Sequence, residues 1–239
     1  MSEAPLLSVT DLASGYKGRD VLHGLSFDVP EGALITLIGP NGHGKSTLLR
    51  TISGLLKPRS GDIRVGERSI AGLPAEQITA LGIVQVPQGD LLFPEMTVHE
   101  NLLMGAYLER DRRVVEERLA EVHAILPKLK ERAHQTASTL SGGERRMVGI
   151  GRGLMSGGRL LMLDEPSLGL APIIIDQIYE VIASLKATGR TILLVEENPM
   201  RVVDLSERVH LLDNGHIVWS GGGQELTERS ELLETYLGG

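Results

Sequence analysis

The 239-residue chain contains no cysteine, which excludes both a disulfide framework and a cysteine-ligated zinc site. Aromatic residues make up only 3%, so stacking platforms for single-stranded nucleic acid are not expected. Basic residues are in deficit: 24 Lys and Arg against 31 Asp and Glu leave a net charge of −7, the opposite of the basic face that marks a phosphate-backbone binder. No apolar run approaches the ~20 residues of a membrane span. The N-terminal Met1-Ser2-Glu3-Ala4-Pro5 lacks the basic and apolar blocks of a signal peptide. The seven histidines are dispersed without ligand spacing, so a metal site built from protein alone is not expected. These absences lead us to expect a soluble intracellular protein that binds no nucleic acid, with enough length for one α/β domain of two lobes.

What is present is concentrated in Gly39-Pro40-Asn41-Gly42-His43-Gly44-Lys45-Ser46, which fits G-x-x-x-x-G-K-[ST]. The apolar run Leu34 to Ile38 precedes it and the helical pattern from Thr47 to Arg50 follows, so a strand feeds a glycine loop that feeds a helix. Gly39, Gly42 and Gly44 are expected to open backbone conformations closed to other residues, turning successive N–H groups toward an anion. The helix adds its own N–H donors and positive dipole end. Lys45 is then placed to reach outer phosphates, and the Ser46 hydroxyl to ligate magnesium. This is a nucleotide cradle.

Around it, Leu7-Ser8-Val9, Leu25 to Val29 and Asp62 to Val65 read as short strands between turns. From Thr97 the pattern turns helical, with Val115, Leu119, Val122 and Leu126 on one face. The middle, from about Gly89 to Ser156, reads as a helical insertion. Leu160 to Leu163 and Thr191 to Val195 are continuous apolar runs, as expected of strands covered on both faces. Between them Pro172 opens a helix striped by Ile174, Ile178, Val181 and Leu185, and Gly189 closes it. Asn214-Gly215 signals a type I′ hairpin.

Two further groups carry chemistry. Asp164-Glu165 ends a buried strand, where charge is costly unless it faces a ligand. Asp164 suits magnesium and Glu165 suits orienting and deprotonating an attacking water. Leu140-Ser141-Gly142-Gly143-Glu144 opens another helix; Ser141 and Glu144 form a capping box, S-x-x-E. Two consecutive glycines are poor helix formers, and close approach of a phosphate is one reason to place them there.

Cradle, signature (Leu140 to Glu144) and acidic strand end, in this order, resemble the ATP-binding cassette family, and the resemblance covers essentially the whole chain. It implies an α/β fold: a P-loop NTPase (RecA-like) core with an N-terminal antiparallel β-subdomain and an inserted α-helical subdomain, the core at about 1–88 and 157–239 and the insert at about 89–156. It implies binding of ATP and Mg2+ by the cradle through Thr47, Tyr16 stacking on adenine, and Gln88 touching magnesium and the water while sensing a membrane partner. It also implies that Ser141, Gly142, Gly143 and Glu144 contact the ATP of a second ATPase subunit in a head-to-tail dimer. Two transmembrane permeases, and indirectly a soluble substrate-binding protein, complete the implied assembly at the cytoplasmic face of the membrane.

Three positions depart from the commonest family pattern. His43 stands where a small residue is usual, with its side chain expected to point away from the nucleotide. The loop Pro166 to Leu170 lacks the aspartate common at its end, which puts subunit-to-subunit signalling in doubt. Glu197 occupies the switch position, where the family often has a histidine on the terminal phosphate; a carboxylate there is repelled unless magnesium, protonation or rotation relieves it. The segments Phe93 to Leu102 and Ser167 to Pro172 resemble the ATPase subunits of bacterial branched-chain amino acid importers. Importers of urea, amides or other hydrophobic amino acids are nearly as similar, and a lipid or lipopolysaccharide exporter is the alternative.

Overall fold

A computed structural model describes residues 4–89, 91–229 and 232; Met1, Ser2, Glu3 and, in the segment from Gln88 to Met96, Asp90 lie outside the described residues. The first stretch runs β1 (Leu7–Tyr16), β2 (Arg19–Val29), β3 (Leu34–Ile38), α1 (Lys45–Ile52), β4 (Ser60–Val65), β5 (Arg68–Ser69), α2 (Ala75–Ala80) and β6 (Ile83–Val86). Four helices follow: α3 (Val98–Gly105), α4 (Arg112–Ile125), α5 (Pro127–Glu131) and α6 (Gly142–Met155). The chain then returns to alternation with β7 (Leu160–Asp164), α7 (Pro172–Ala187), β8 (Thr191–Glu196), β9 (Arg208–Asp213), β10 (His216–Gly221) and α8 (Gly223–Thr227).

One sheet is antiparallel, in the order β2-β1-β4-β5; the other has the order β10-β9-β3-β8-β7-β6 and is parallel except for the β9–β10 hairpin. Helices on one face and the small sheet with α1 on the other bury the three central parallel strands completely, which is why β3, β7 and β8 are buried at every position. The two-residue period of a strand sorts their side chains. Leu34, Ile38, Leu161, Leu163, Ile192 and Leu194 join the cluster beneath α6 and α7. Ile35, Leu37, Leu160, Met162, Leu193 and Val195 join the cluster that packs α1 against the antiparallel sheet. By the same parity, Asp164 faces the α1 side, whereas Glu196 at the end of the neighbouring strand faces α7.

The helical middle is fastened to the sheet through α6: Val148, Ile150 and Leu154 share a cluster with Leu102 and Val122 of α3 and α4 and with Val84, Val86 and Leu161 of the sheet. The hairpin turn has the expected left-handed pair, Asn214 at φ 43° and Gly215 at φ 77°. The sequence reading missed β6, a four-residue strand between Gly82 and Pro87, and the six-residue α2. It also underestimated β1 and β2, whose register shifts three times, with Asp11 at φ 46° in the first irregularity, so that no clean alternation runs their length.

His210 on β9 is almost completely buried; its Nδ1 lies 2.6 Å from Ser220 Oγ and its ring tilts against Phe27. Burial, with a smaller contribution from Arg208, pushes its pKa down from 6.5 to about 4. A proton therefore prefers the unfolded chain. The contribution of neutral His210 is intact above pH 6.5 and declines to its lower limit near pH 4, a loss of about 3 kcal/mol at ~1.36 kcal/mol per pKa unit. Urea titrations at pH 7 and pH 4.5 are expected to show a steeper loss in the parent than in His210→Gln; parallel losses would contradict this assignment.

Candidate active site

β3 delivers the loop at the carboxyl edge of the parallel sheet, where open α/β folds bind ligands. Gly42 and Gly44 have φ of 85° and 110°, a region that penalises any side chain. Gly44 is the N-cap of α1 and offers no side-chain acceptor, and no acidic residue occupies the first turn; the helix end is left to an anion. Asn41, Gly42, Gly44, Lys45, Ser46, Thr47, Gln88 and Glu165 line a cavity of about 200 Å3. Gly39 corrects the sequence reading. Its φ is not among the positive ones, and a Cβ there would lie 2.2 Å from the Leu212 carbonyl oxygen, so close packing on β9 is what requires glycine.

Lys45, only 3% exposed, sets its ammonium 2.7 Å from the Gly39 carbonyl, 3.1 Å from that of Pro40 and 3.1 Å from Glu165 Oε1. The other Glu165 oxygen accepts from Gln88 Nε2 at 2.8 Å. Glu165 itself is in the left-handed region at φ 45°, an uncommon position for a non-glycine residue. Its N–H donates to the Val195 carbonyl at 2.9 Å. Beside it, Asp164 Oδ1 accepts from Ser46 Oγ at 3.1 Å. Burial raises the Asp164 pKa, and the neighbouring Glu165 charge adds to the rise while the Ser46 hydrogen bond opposes it. A hard cation relieves that penalty, and a carboxylate plus a hydroxyl are the oxygen donors magnesium takes when phosphates complete its shell. Among the described residues no group of three or more His, Asp or Glu side chains forms a metal cage.

The remaining cradle residues are positioned from outside. Asn41 Nδ2 donates to Glu197 Oε2 at 3.0 Å, joining the loop to the residue after β8. His43 turns its imidazole to the hairpin: Nδ1 is 2.8 Å from Asp213 Oδ1 and 3.1 Å from the Asn214 N–H. The ring thus points away from the cavity, as expected. Tyr16, 41% exposed, accepts a 3.3 Å hydrogen bond from Arg50 of α1, which sets its ring beside the cradle helix.

Ser141 caps α6 and Glu144 completes the capping box: the Ser141 N–H and Oγ both reach Glu144 Oε2 at 2.9 Å, and Arg132 Nε holds its other oxygen at 2.7 Å. The Ser141 N–H foremost holds the Glu144 carboxyl below its usual range. No described contact brings these residues to the cradle of the same chain. At Gly143 a Cβ would lie 2.4 Å from Ile174 Cγ2, so close packing on α7 is a second reason for glycine at this position. At Gly142 a Cβ would meet only Leu170, at an ordinary 3.5 Å.

A glycine loop at the edge of a parallel sheet, a carboxylate pair on the next strand but one, and a serine-capped helix from the helical middle of the chain define a nucleotide-hydrolysing cassette. Residues 22–168 match the ABC transporter family, and the chain belongs to it: it is an ATP-binding cassette with ATPase activity. It is 45% identical over 230 residues to the high-affinity branched-chain amino acid transport ATP-binding protein BraG of Pseudomonas aeruginosa, covering 96% of this chain and 98% of that one. It is 36% identical to the probable branched-chain amino acid transport ATP-binding protein LivF of Archaeoglobus fulgidus, covering 98% and 99%. The ADP conformation of an ATP-binding cassette of an ABC transporter superposes with a TM-score of 0.84 at 30% identity, covering 94% of this chain and 93% of that one.

Proposed function

We propose that this chain is one of two ATPase subunits powering a branched-chain amino acid importer from the cytoplasmic face of the membrane. The observation that carries the reading is the Lys45–Glu165–Gln88 chain of contacts, which sets a carboxylate at the mouth of the cradle. The backbone from Gly39 to Thr47 surrounds the phosphates, Lys45 passes its hydrogen bonds to their oxygens, and Tyr16 supports adenine. Ser46, Asp164 and Gln88 hold Mg2+, which supplies charge neutralisation on the phosphates when bound. Glu165 orients a water and takes its proton as oxygen attacks the terminal phosphorus and ADP leaves. Ser141, Gly142, Gly143 and Glu144 close over the ATP of the second ATPase subunit, so ATP favours the paired state because it touches both surfaces only there.

The surface supports a permease partner. Leu91 and Phe93 are exposed along a groove of about 390 Å3 that reaches Pro87 and Arg152. Buried Asn101 staples the turn that presents them, accepting from the Phe93 N–H and donating to the carbonyls of Phe93 and Thr97. No helix among the described residues is long and apolar enough to cross a membrane. In this reading two permeases attach the chain to the membrane, and solute recognition falls to them and a soluble binding protein. Relatives include a lipopolysaccharide export ATP-binding protein at 34% identity, well below the 45% of the amino acid transport relative. Copurification of permeases with an amino acid binding protein tests the import reading.

Glu197 bears on the rate. Its carboxylate is hydrogen-bonded to the cradle through Asn41, where negative charge opposes a terminal phosphate. Hydrolysis at this chain's cradle is expected to be slow, with the partner ATPase supplying most turnover. Glu197→His is expected to raise the ATPase rate of the assembled complex; no gain counts against this assignment.

A further inference from the structure

Glu196 is a buried carboxylate that the proposed chemistry does not use. It is 2% exposed at the end of β8 and faces α7. Its Oε1 accepts from the Ser167 N–H at 3.3 Å and its Oε2 from Ser167 Oγ at 3.1 Å. The Tyr179 hydroxyl and the Glu197 backbone lie near enough to favour its charged form as well. Burial at this depth costs a carboxylate dearly without such donors, and even so its pKa is raised by desolvation. The same burial, followed by the Glu196 charge, pushes the Tyr179 hydroxyl up.

These contacts join two loops at the cradle. Ser167 lies two residues beyond Glu165, whose left-handed backbone persists only if its surroundings hold it. The Glu165 N–H is fixed to the Val195 carbonyl and both Ser167 donors to the Glu196 carboxylate, so residues 165–167 are stapled at two points to the end of β8. On the other side, Glu196 is followed directly in the chain by Glu197, whose carboxylate reaches the cradle through Asn41.

We propose that Glu196 is a positioning residue for ATP hydrolysis, stapling the Glu165-Pro166-Ser167 turn to the switch loop so that the Glu165 carboxylate is aimed into the cradle. The proposal rests on the assignment of Glu165 as the base. A misplacement of the base by about 1 Å can cost a hundredfold in rate, whereas ground-state ATP contacts from Lys45 and the loop are untouched.

The test uses the assembled transporter with the partner ATPase carrying the corresponding carboxylate-to-amide change, so that turnover from this chain's cradle is read alone. Glu196→Gln and Ser167→Ala are each expected to lower kcat at least about tenfold, with ATP Kd held within about threefold and thermal unfolding near that of the parent. Because Ser167→Ala removes one of the two bonds that Glu196→Gln weakens, the double variant should be no slower than the slower single one. Should Glu196→Gln fail to fold, Ser167→Ala, which empties no buried space, decides alone. Retained kcat, a loss of ATP affinity equal to the loss of rate, or multiplicative losses would overturn the proposal. Full turnover in Glu165→Gln would instead overturn the assignment of the base on which it rests.

Discussion

Glu165→Gln is expected to slow hydrolysis at this chain's cradle by about 10²- to 10⁴-fold, the usual contribution of a positioned general base, while ATP still binds. The substitution keeps the size of the side chain and its contact with Gln88 but removes the carboxylate whose oxygens meet Lys45 at 3.1 Å and Gln88 at 2.8 Å. An amide cannot take the proton that the attacking water loses. Lys45 keeps its two carbonyl partners, Gly39 and Pro40, so the cradle itself survives. The measurement is single-turnover phosphate release beside ATP binding, in a complex whose partner ATPase carries the matching amide. Equal losses in rate and affinity would show that Glu165 serves binding, and unchanged release would remove it from the chemistry.

Lys45→Ala is expected to act on the other step. Charge-assisted hydrogen bonds are worth about 1.5–3 kcal/mol, and tenfold in affinity is about 1.4 kcal/mol, so ATP Kd should rise by roughly 10- to 100-fold. The change also leaves Glu165, 3% exposed, without its cation, and breaking a buried pair costs more than the pair contributes. Some loss of thermal stability should therefore accompany the loss of affinity. Lys45→Arg is expected to restore charge but not binding, because a planar fork replaces a point donor in a cavity of about 200 Å3. Binding titrations on the three forms, with circular dichroism to confirm folding, separate the effects; parent-like affinity in Lys45→Ala would contradict the role assigned to the ammonium.

The cradle was legible because its chemistry is local: eight consecutive residues, a strand before them and a helix after. The hairpin at Asn214-Gly215 was legible for the same reason. The glycines were legible as glycines, but the close approaches that Gly39 and Gly143 make to Leu212 and Ile174, far along the chain, are revealed by no local pattern. Nor does local pattern show that Lys45 and Glu165, 120 positions apart, share a buried ion pair, or that His43 meets Asp213. Strand β6 is too short to announce itself and owes its existence to pairing with β7. Glu196 left a readable trace that the sequence analysis passed over. It continues the Ile192, Leu194 face of a strand whose apolar residues are all buried, so parity already placed a carboxylate in the core and demanded partners for it.

The central claim is that this fold closes its Gly39–Thr47 loop around a nucleoside triphosphate. Equilibrium dialysis of the folded chain against Mg-ATP tests it most directly: one nucleotide per chain, displaced by ADP and lost in Lys45→Ala, is the predicted result. Folded protein that retains no nucleotide above its background, or retains it equally without Lys45, would contradict the account.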